Sequence, residues 1–283
     1  MIPRIFSPGW DDYALIDFGN GKKLERWGNV HTLRPDIQAC SKPDLSEREW
    51  QYLSDWEFIE TDSQNGIWQA RKADAPEQWQ IGYGRLRFQL KVTRFKHVGL
   101  FPEQRSNWDF IAQHLPATGR FLNLFAYTGA ASCVARQTGA ETRHVDSVKP
   151  LLNWAHANML NSALQDIKWI REDALKFVER EVKRGKIYDG LVMDPPAWGL
   201  GAKGERWKIE DKLDTLVAGA ANLLNSGGFL ILNTYSPSID PPTMMDLVRQ
   251  YFPSTSNKVA ELCLQSNTNR PLYTGLVLRA FKS

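Results

Sequence analysis

Cysteine is scarce in this chain: Cys40, Cys133 and Cys263 are spread over 283 positions. Their odd number and wide spacing exclude a disulfide framework and offer no paired ligand spacing for a metal. A reducing cytoplasm is the expected setting, and no metal is expected. Long apolar runs are missing too, which excludes a helix spanning a bilayer. The N-terminus lacks the charged-then-apolar order of an export signal. There is no internal repeat and no low-complexity tract. Charge of one sign is also limited, and a formal net charge of +3 is too small by itself to name a polyanionic partner. What the chain has in plenty is tryptophan. Eleven are present, more than cores usually need, so a few are candidate stacking platforms.

Two patterns divide the chain near residue 100. The first part, residues 1–100, has strand and turn signals and is expected to be a smaller β-rich domain, a candidate for substrate recognition. Tyr13–Phe18 and Lys22–Trp27 flank Gly19-Asn20-Gly21, which reads as a hairpin. Trp56–Thr61 and Gly66–Arg71 predict a second strand pair, joined by residues 62–65, and Tyr83–Thr93 predicts one long strand. In residues 101–283 strands alternate with helices. Strands are expected at 121–127, 142–146, 167–170, 187–193 and 229–235, with helices between them and two closing strands at 258–265 and 275–281. That alternation predicts an α/β fold with a parallel sheet covered on both faces.

The chemistry-bearing residues fall at the ends of these strands, where open α/β sheets bind ligands. The first strand runs into Asn123-Leu-Phe125-Ala-Tyr127-Thr128-Gly129. A pyrophosphate would need several glycines for close backbone approach, and only Gly129 is there. The second strand ends at Asp146-Ser147, where a carboxylate can accept both hydroxyls of a ribose. The third ends at Glu172-Asp173-Ala174, where an acid can accept from an adenine amino group. Each acid alone also fits a helix cap. The fourth ends at Asp194-Pro195-Pro196-Ala197-Trp198. Two prolines cannot continue a ladder, so Asp194 is held rigidly at the ligand edge with an aromatic close behind.

Taken together, Gly99-Leu-Phe101-Pro-Glu-Gln104-Arg105, Asn123–Gly129, Val145-Asp146-Ser147 and Asp194-Pro195-Pro196 resemble the class I S-adenosylmethionine-dependent methyltransferases. The resemblance is to the bacterial large-subunit ribosomal RNA methyltransferase-like family and covers nearly two-thirds of the chain. It implies a Rossmann-like seven-stranded sheet, S-adenosyl-L-methionine as cofactor, and an RNA partner, ribosomal RNA being favoured. It also implies that Phe101, Gln104 and Arg105 lie over the cofactor, and that Asn123, Phe125, Tyr127, Thr128, Gly129, Asp146, Ser147, Asp173, Ala174 and Asp194 contact it. Asp194, Pro195, Pro196 and Trp198 are then the catalytic set. In the usual amine-methylating motif the aromatic directly follows the second proline, whereas Ala197 stands there in this chain.

Relatives that methylate cytosine C5 carry a cysteine in the loop after the fifth strand. The corresponding residues, Thr234-Tyr235-Ser236-Pro237-Ser238, contain none, which disfavours a thiolate mechanism. Residues 79–97 hold five Lys or Arg and no acid. Period two would put Arg85, Arg87 and Lys91 on one strand face, able to follow phosphates or simply to face water. Lys203 and Arg206 lie in a glycine-bearing segment expected to be a mobile flap, and Tyr235 is a second candidate for base stacking. Two other readings stay open: a methyltransferase acting on a protein or small molecule, and an RNA-binding relative without catalysis.

Overall fold

The computed structural model describes residues 2–7, 9–61, 65–201, 203–253 and 257–283, so Asp62, Ser63 and Gln64 of the expected 62–65 connection lie outside the described residues. The chain forms two compact units. One comprises Phe6–Arg105 with Cys263–Thr274; the other comprises Met1–Ile5, Ser106–Leu262 and Gly275–Ser283.

The chain opens with a short strand, β1 (Arg4–Phe6). The N-terminal unit then builds β2 (Tyr13–Gly19), β3 (Lys22–Trp27), β4 (Val30–Pro35), α1 (Glu47–Leu53), β5 (Trp56–Glu60), β6 (Gly66–Ala70), β7 (Gln78–Tyr83) and β8 (Leu86–Lys91). Strands β2 to β6 form one sheet in chain order, and β7 and β8 form a separate pair. Helix α1 starts at a reciprocal cap: the Glu49 N–H donates to Ser46 Oγ, and the Ser46 N–H donates to the Glu49 carboxylate. Such a cap contributes about 1 kcal/mol. The long strand expected over 83–93 is instead the second half of a hairpin. Gly84 turns the chain at φ +56, so Arg85 sits exposed in the turn and leaves the strand face. Beyond the turn the alternation holds: Leu86, Phe88 and Leu90 are buried, while Arg87, Gln89 and Lys91 face outward.

The tip of the last hairpin joins this unit through Arg270. Its guanidinium donates to Asp17 Oδ1 at 2.5 Å and to Asp44 Oδ2 at 2.8 Å, and it covers the Phe18 ring at 4.4 Å. Asp17 is buried and also accepts from the Trp50 indole and the Leu45 N–H, so its charge is fully met by donors.

The second unit contains α2 (Arg105–His114, from Ser106 onward), β9 (Arg120–Leu124), α3 (Ala130–Gln137), β10 (Glu141–Asp146), α4 (Lys149–Asn161), β11 (Ile167–Arg171), α5 (Ala174–Lys183), β12 (Tyr188–Met193), β13 (Trp198–Leu200), β14 (Arg206–Lys208), α6 (Ile209–Leu223), β15 (Leu224–Thr234) and α7 (Pro241–Tyr251). The closing hairpin is β16 (Lys258–Gln265) and β17 (Pro271–Phe281). The sheet order is β1-β16-β17-β15-β12-β9-β10-β11. Pairing is parallel from β15 through β12, β9 and β10 to β11, and β17 runs antiparallel to β15. Seven strands match the expected sheet. The eighth, β1, covers the free edge of β16 and so removes an exposed ladder. Residues 225–228, expected to end a helix before a separate strand, form an irregularity at the start of β15, where the register with β12 shifts between Tyr188 and Gly190.

The central strands are apolar on both faces, as parallel strands between two helix layers must be. Phe121, Leu122, Leu124, Leu191, Met193, Phe229, Leu230 and Leu232 are all buried. Gly190 makes this packing possible. A Cβ there would lie 2.6 Å from Phe229 Cζ and 3.1 Å from Phe121 Cδ2. Gly190→Ala is therefore expected to destabilise the protein by about 1–3 kcal/mol through overpacking, measured as a lower urea midpoint with an unchanged slope.

Candidate active site at the carboxyl edge of the sheet

The parallel register sets the ends of β9, β10, β11 and β12 side by side. The loop after β9 is strained: Phe125 and Tyr127 are non-glycine residues at φ +53 and +52. Each left-handed residue costs about 1 kcal/mol or more and needs a local reason. The reason here is the Tyr127 N–H, which donates to Asp146 Oδ2 at 2.9 Å. The Val148 N–H donates to Asp146 Oδ1 at 2.9 Å. The Ser147 N–H also acts on this carboxylate, whose oxygens keep lone-pair capacity for a further donor. Burial pushes the Asp146 carboxyl above the usual carboxylate range, and the backbone N–H groups offset this only in part.

Gly129 closes the same loop at φ +84, and a Cβ there would lie 2.9 Å from the Ala155 Cβ. Its place is fixed by close packing of α3 on α4 as well as by the turn. Asn123 faces the interior. Its amide donates to Ser132 Oγ at 2.9 Å, and Ser132 Oγ lies 3.0 Å from His144 Nδ1. Burial lowers His144 to about 3, so this buried chain is neutral. Thr128 is buried, and its carbonyl accepts from Asn158 Nδ2 at 2.9 Å. Asn123 and Thr128 thus hold up the floor of the loop, while Phe125 lines the cleft above it.

Asp173 does cap a helix: its Oδ1 accepts from the Lys176 N–H at 3.0 Å at the start of α5. Its other oxygen faces the flap, since a Cβ on Gly201 would lie 3.0 Å from Asp173 Oδ2. The flap is an ordered antiparallel pair, β13 with β14. It is anchored by the Ser147 hydroxyl donating to the Leu200 carbonyl at 3.3 Å and by an ion pair of Lys176 with Glu205 at 2.8 Å. Trp207, absent from the sequence-based set, is its buried pin. The indole donates to the Pro196 carbonyl at 2.6 Å, and its ring meets Phe125 edge-on at 4.9 Å. A large aromatic between Arg206 and Lys208 was the available signal.

These groups enclose a cleft lined by Phe125, Asp146, Ser147, Asp173, Pro196 and Trp207, with Ala174 beside them. Asp194 leaves central strand β12 half-buried, followed by buried Pro195 and exposed Pro196. Trp198 is 62% exposed and Tyr235 is 37% exposed, so both offer ring surface. Lys203 and Arg206 are exposed on the flap. Phe101, Gln104 and Arg105 belong to the N-terminal unit. Phe101 there sits 4.9 Å from the His97 ring, and Arg105 covers Tyr83 at 5.9 Å. Arg87 in that unit donates to the Gly84 and Leu86 carbonyls at 2.9 and 2.8 Å, and Lys91 is half-buried.

The family profile described as S-adenosylmethionine-dependent methyltransferase matches residues 60–262, more than half of the chain. The chain belongs to the S-adenosylmethionine-dependent methyltransferases. A crystal structure of the methyltransferase of that dependence from Agrobacterium tumefaciens is 34% identical, with a TM-score of 0.92 over 99% of this chain and 93% of that one. The ribosomal RNA large subunit methyltransferase K/L of Syntrophotalea carbinolica is 33% identical over 60% of this chain and 24% of its own length. Methyltransferase K of Neisseria meningitidis serogroup B is 28% identical over 67% of this chain and 54% of its own. The chain thus spans about a quarter to about half of these two curated relatives. A methyltransferase structure complexed with SAH shares the fold at a TM-score of 0.71 and 17% identity, over 92% of this chain and 71% of that one.

The cofactor of this methyltransferase is S-adenosyl-L-methionine, and the cleft chemistry suits it. A buried carboxylate with lone-pair capacity left over can accept from a ribose hydroxyl, and one glycine suffices for a ligand without phosphate. Asp146→Asn is expected to weaken cofactor binding about tenfold or more, because one acceptor becomes a donor. In the parent protein, affinity should fall on acidification at a pH above the ordinary carboxylate range, since a raised carboxyl takes up its proton earlier. Titration calorimetry across pH checks both, and the Asp146→Asn variant should lack the acid limb.

Proposed function

We propose that this methyltransferase modifies a base in RNA, ribosomal RNA being favoured, without a cysteine nucleophile. The observation that carries the reading is Asp194-Pro195-Pro196 at the end of central strand β12, beside the cofactor cleft, with the exposed Trp198 ring close behind. The cofactor supplies an activated methyl group. The chain's own task is to place a nucleophile and exclude water. An exocyclic amino group is a weak nucleophile because its lone pair is delocalised into the ring. The Asp194 carboxylate and the Pro195 carbonyl accept its N–H bonds and favour a pyramidal nitrogen. Trp198 stacks the unpaired base, worth ~1–3 kcal/mol, with Tyr235 as a second platform.

Thiol chemistry is disfavoured for physical reasons. Burial pushes the Cys133 thiol up to about 12, and Cys40 and Cys263 lie outside the loops at the sheet edge. The names of the two curated relatives support RNA as the substrate class. In this reading Arg87 and Lys91 of β8 are phosphate contacts, as are Lys203 and Arg206 of the flap. The three free cysteines suit the cytoplasm.

The cleft holds only about 50 Å³, whereas ligand sites of this kind hold roughly 300 Å³ or more. A nucleoside therefore enters when the β13–β14 hairpin lifts, breaking the Lys176–Glu205 and Ser147–Leu200 contacts. Residues 198–201 and 203–208 should exchange amide hydrogens quickly in the free protein and be protected at least about tenfold by S-adenosylhomocysteine. Equal exchange in both states would reject the lid.

Asp194→Ala should lower methyl transfer by about 10²–10³-fold with cofactor affinity nearly unchanged. Mass spectrometry of nucleosides from ribosomal RNA of cells with and without the gene identifies the product. A missing methylated base restored by the parent protein and not by the Asp194→Ala variant is the expected result. An unchanged nucleoside profile, with transfer to a protein or small molecule instead, would overturn the RNA assignment.

A further inference from the structure

A second cavity lies on the sheet away from the cofactor cleft. It holds about 590 Å³ and is lined by Pro3, Ile5, Phe110, His114, Lys258, Ala260, Arg279 and Phe281. Arg279 pairs with Ile231 and Phe281 with Phe229, whereas the cofactor edge is at Thr234 and Leu276. At about 3.4 Å per residue, Arg279 stands ~10 Å and Phe281 ~17 Å back from that edge.

Strand periodicity makes this cavity cationic. On β16 the side chains of Lys258 and Ala260 face it, while Glu261 points to the opposite face and pairs there with Arg4 at 2.8 Å. The alternation thus puts the nearest acid of β16 on the other side. Among the described residues, Arg279 is bonded only to neutral oxygens. Its Nε and Nη2 donate to Asn107 Oδ1 at 3.0 and 2.7 Å, and Nη2 donates to Ser106 Oγ at 3.1 Å. Asn107 is itself held by its Nδ2 donating to Asn233 Oδ1 at 2.9 Å. The guanidinium plane is fixed over Phe110 at 4.9 Å. Among the described residues no carboxylate lies in ion-pair distance of Arg279 or Lys258, and Asp109 acts on Arg279 only from farther away. Burial lowers Arg279 to about 10, the signature of a cation without a close counter-charge.

The other wall is aromatic. His114 stacks on Phe110 at 4.0 Å and 20°, and Phe281 lies 5.7 Å from His114. His114 Nδ1 is 2.9 Å from the Phe110 carbonyl, which fixes the proton of the neutral ring on that nitrogen. Two cations beside a ring wall match a ligand that joins a phosphate to a flat base.

We propose that this cavity is a nucleotide site, with Arg279 and Lys258 holding the phosphate and the base lying against the wall of His114 and Phe281. It is separate from the methyl-transfer cleft and does not rest on the RNA assignment, since a free nucleotide and a nucleotide within a strand present the same chemistry. The test uses the full chain saturated with S-adenosylhomocysteine, so that the cofactor cleft is filled. The probes are uridine 5′-monophosphate, uridine, inorganic phosphate and an eight-nucleotide single-stranded RNA. Binding is read by calorimetry and by protection of Lys258 from acetylation in mass spectrometry.

The monophosphate or the RNA should slow Lys258 acetylation at least about fivefold, with uridine and phosphate each binding at least about tenfold more weakly. Protection by both probes assigns a free-nucleotide site, and protection by the RNA alone assigns a contact to the strand. Lys258→Glu should weaken binding about tenfold, and Arg279→Gln more. Lys258 is exposed, so its variant keeps the test sound if Arg279→Gln fails to fold. No protection by either probe, or affinity unchanged in Lys258→Glu, overturns the proposal.

Discussion

A buried carboxylate must find donors or lose its charge, and at Asp146 it finds them in two segments of the chain at once. The Tyr127 and Val148 N–H groups meet it from the loop after β9 and from the start of α4. That requirement explains why two bulky residues, Phe125 and Tyr127, stay in left-handed conformations. Gly129 then closes the loop where α3 packs too closely on Ala155 of α4 to admit a side chain. The strain in the loop and the acceptor capacity facing the cleft have one cause.

Parallel pairing supplies the frame on which this interaction acts. Because β10, β9 and β12 run in the same direction with buried apolar residues on both faces, their carboxyl ends form one polar edge above a dry core. The flap then closes over that edge. Trp207 contributes both a hydrogen bond to Pro196 and an aromatic contact to Phe125, so the Asp194-Pro195-Pro196 turn and the loop after β9 share one pin. Antiparallel β17 extends the same sheet and carries Arg279 down its opposite end, where a cation without a close acid among the described residues faces a cavity of a different kind.

The N-terminal unit solves its electrostatics internally. Glu25 is fully buried. Burial alone would raise its carboxyl, but Arg34 and Lys23 outweigh this and hold it below the usual range. Arg270 adds a residue from far along the chain to the Asp17 and Asp44 pair. A buried acid with this many donors specifies a unique arrangement more than it adds net stability.

Much of this was legible in the chain itself. Continuous apolar runs identified the parallel strands, because a strand buried on both faces has no polar period to hide. Acids at the ends of those runs marked the edge, and the Ser46-x-x-Glu49 spacing marks a helix start. Three features were decided only in three dimensions. Gly84 converted an expected long strand into a hairpin and removed Arg85 from the basic face, because turn closure depends on the partner strand β7. Asn123 turned inward to Ser132, because which face of a fully buried strand meets the cleft has no one-dimensional signature. The pairing of Arg270 with Asp17 depends on where the tip of the last hairpin folds back, and the distance of Arg279 from any close acid among the described residues depends on strand order across its sheet. Residue types and spacing thus determined the class of chemistry through local backbone preference and burial. Tertiary packing alone decided which side chains face the ligand, because that depends on contacts between segments distant in sequence.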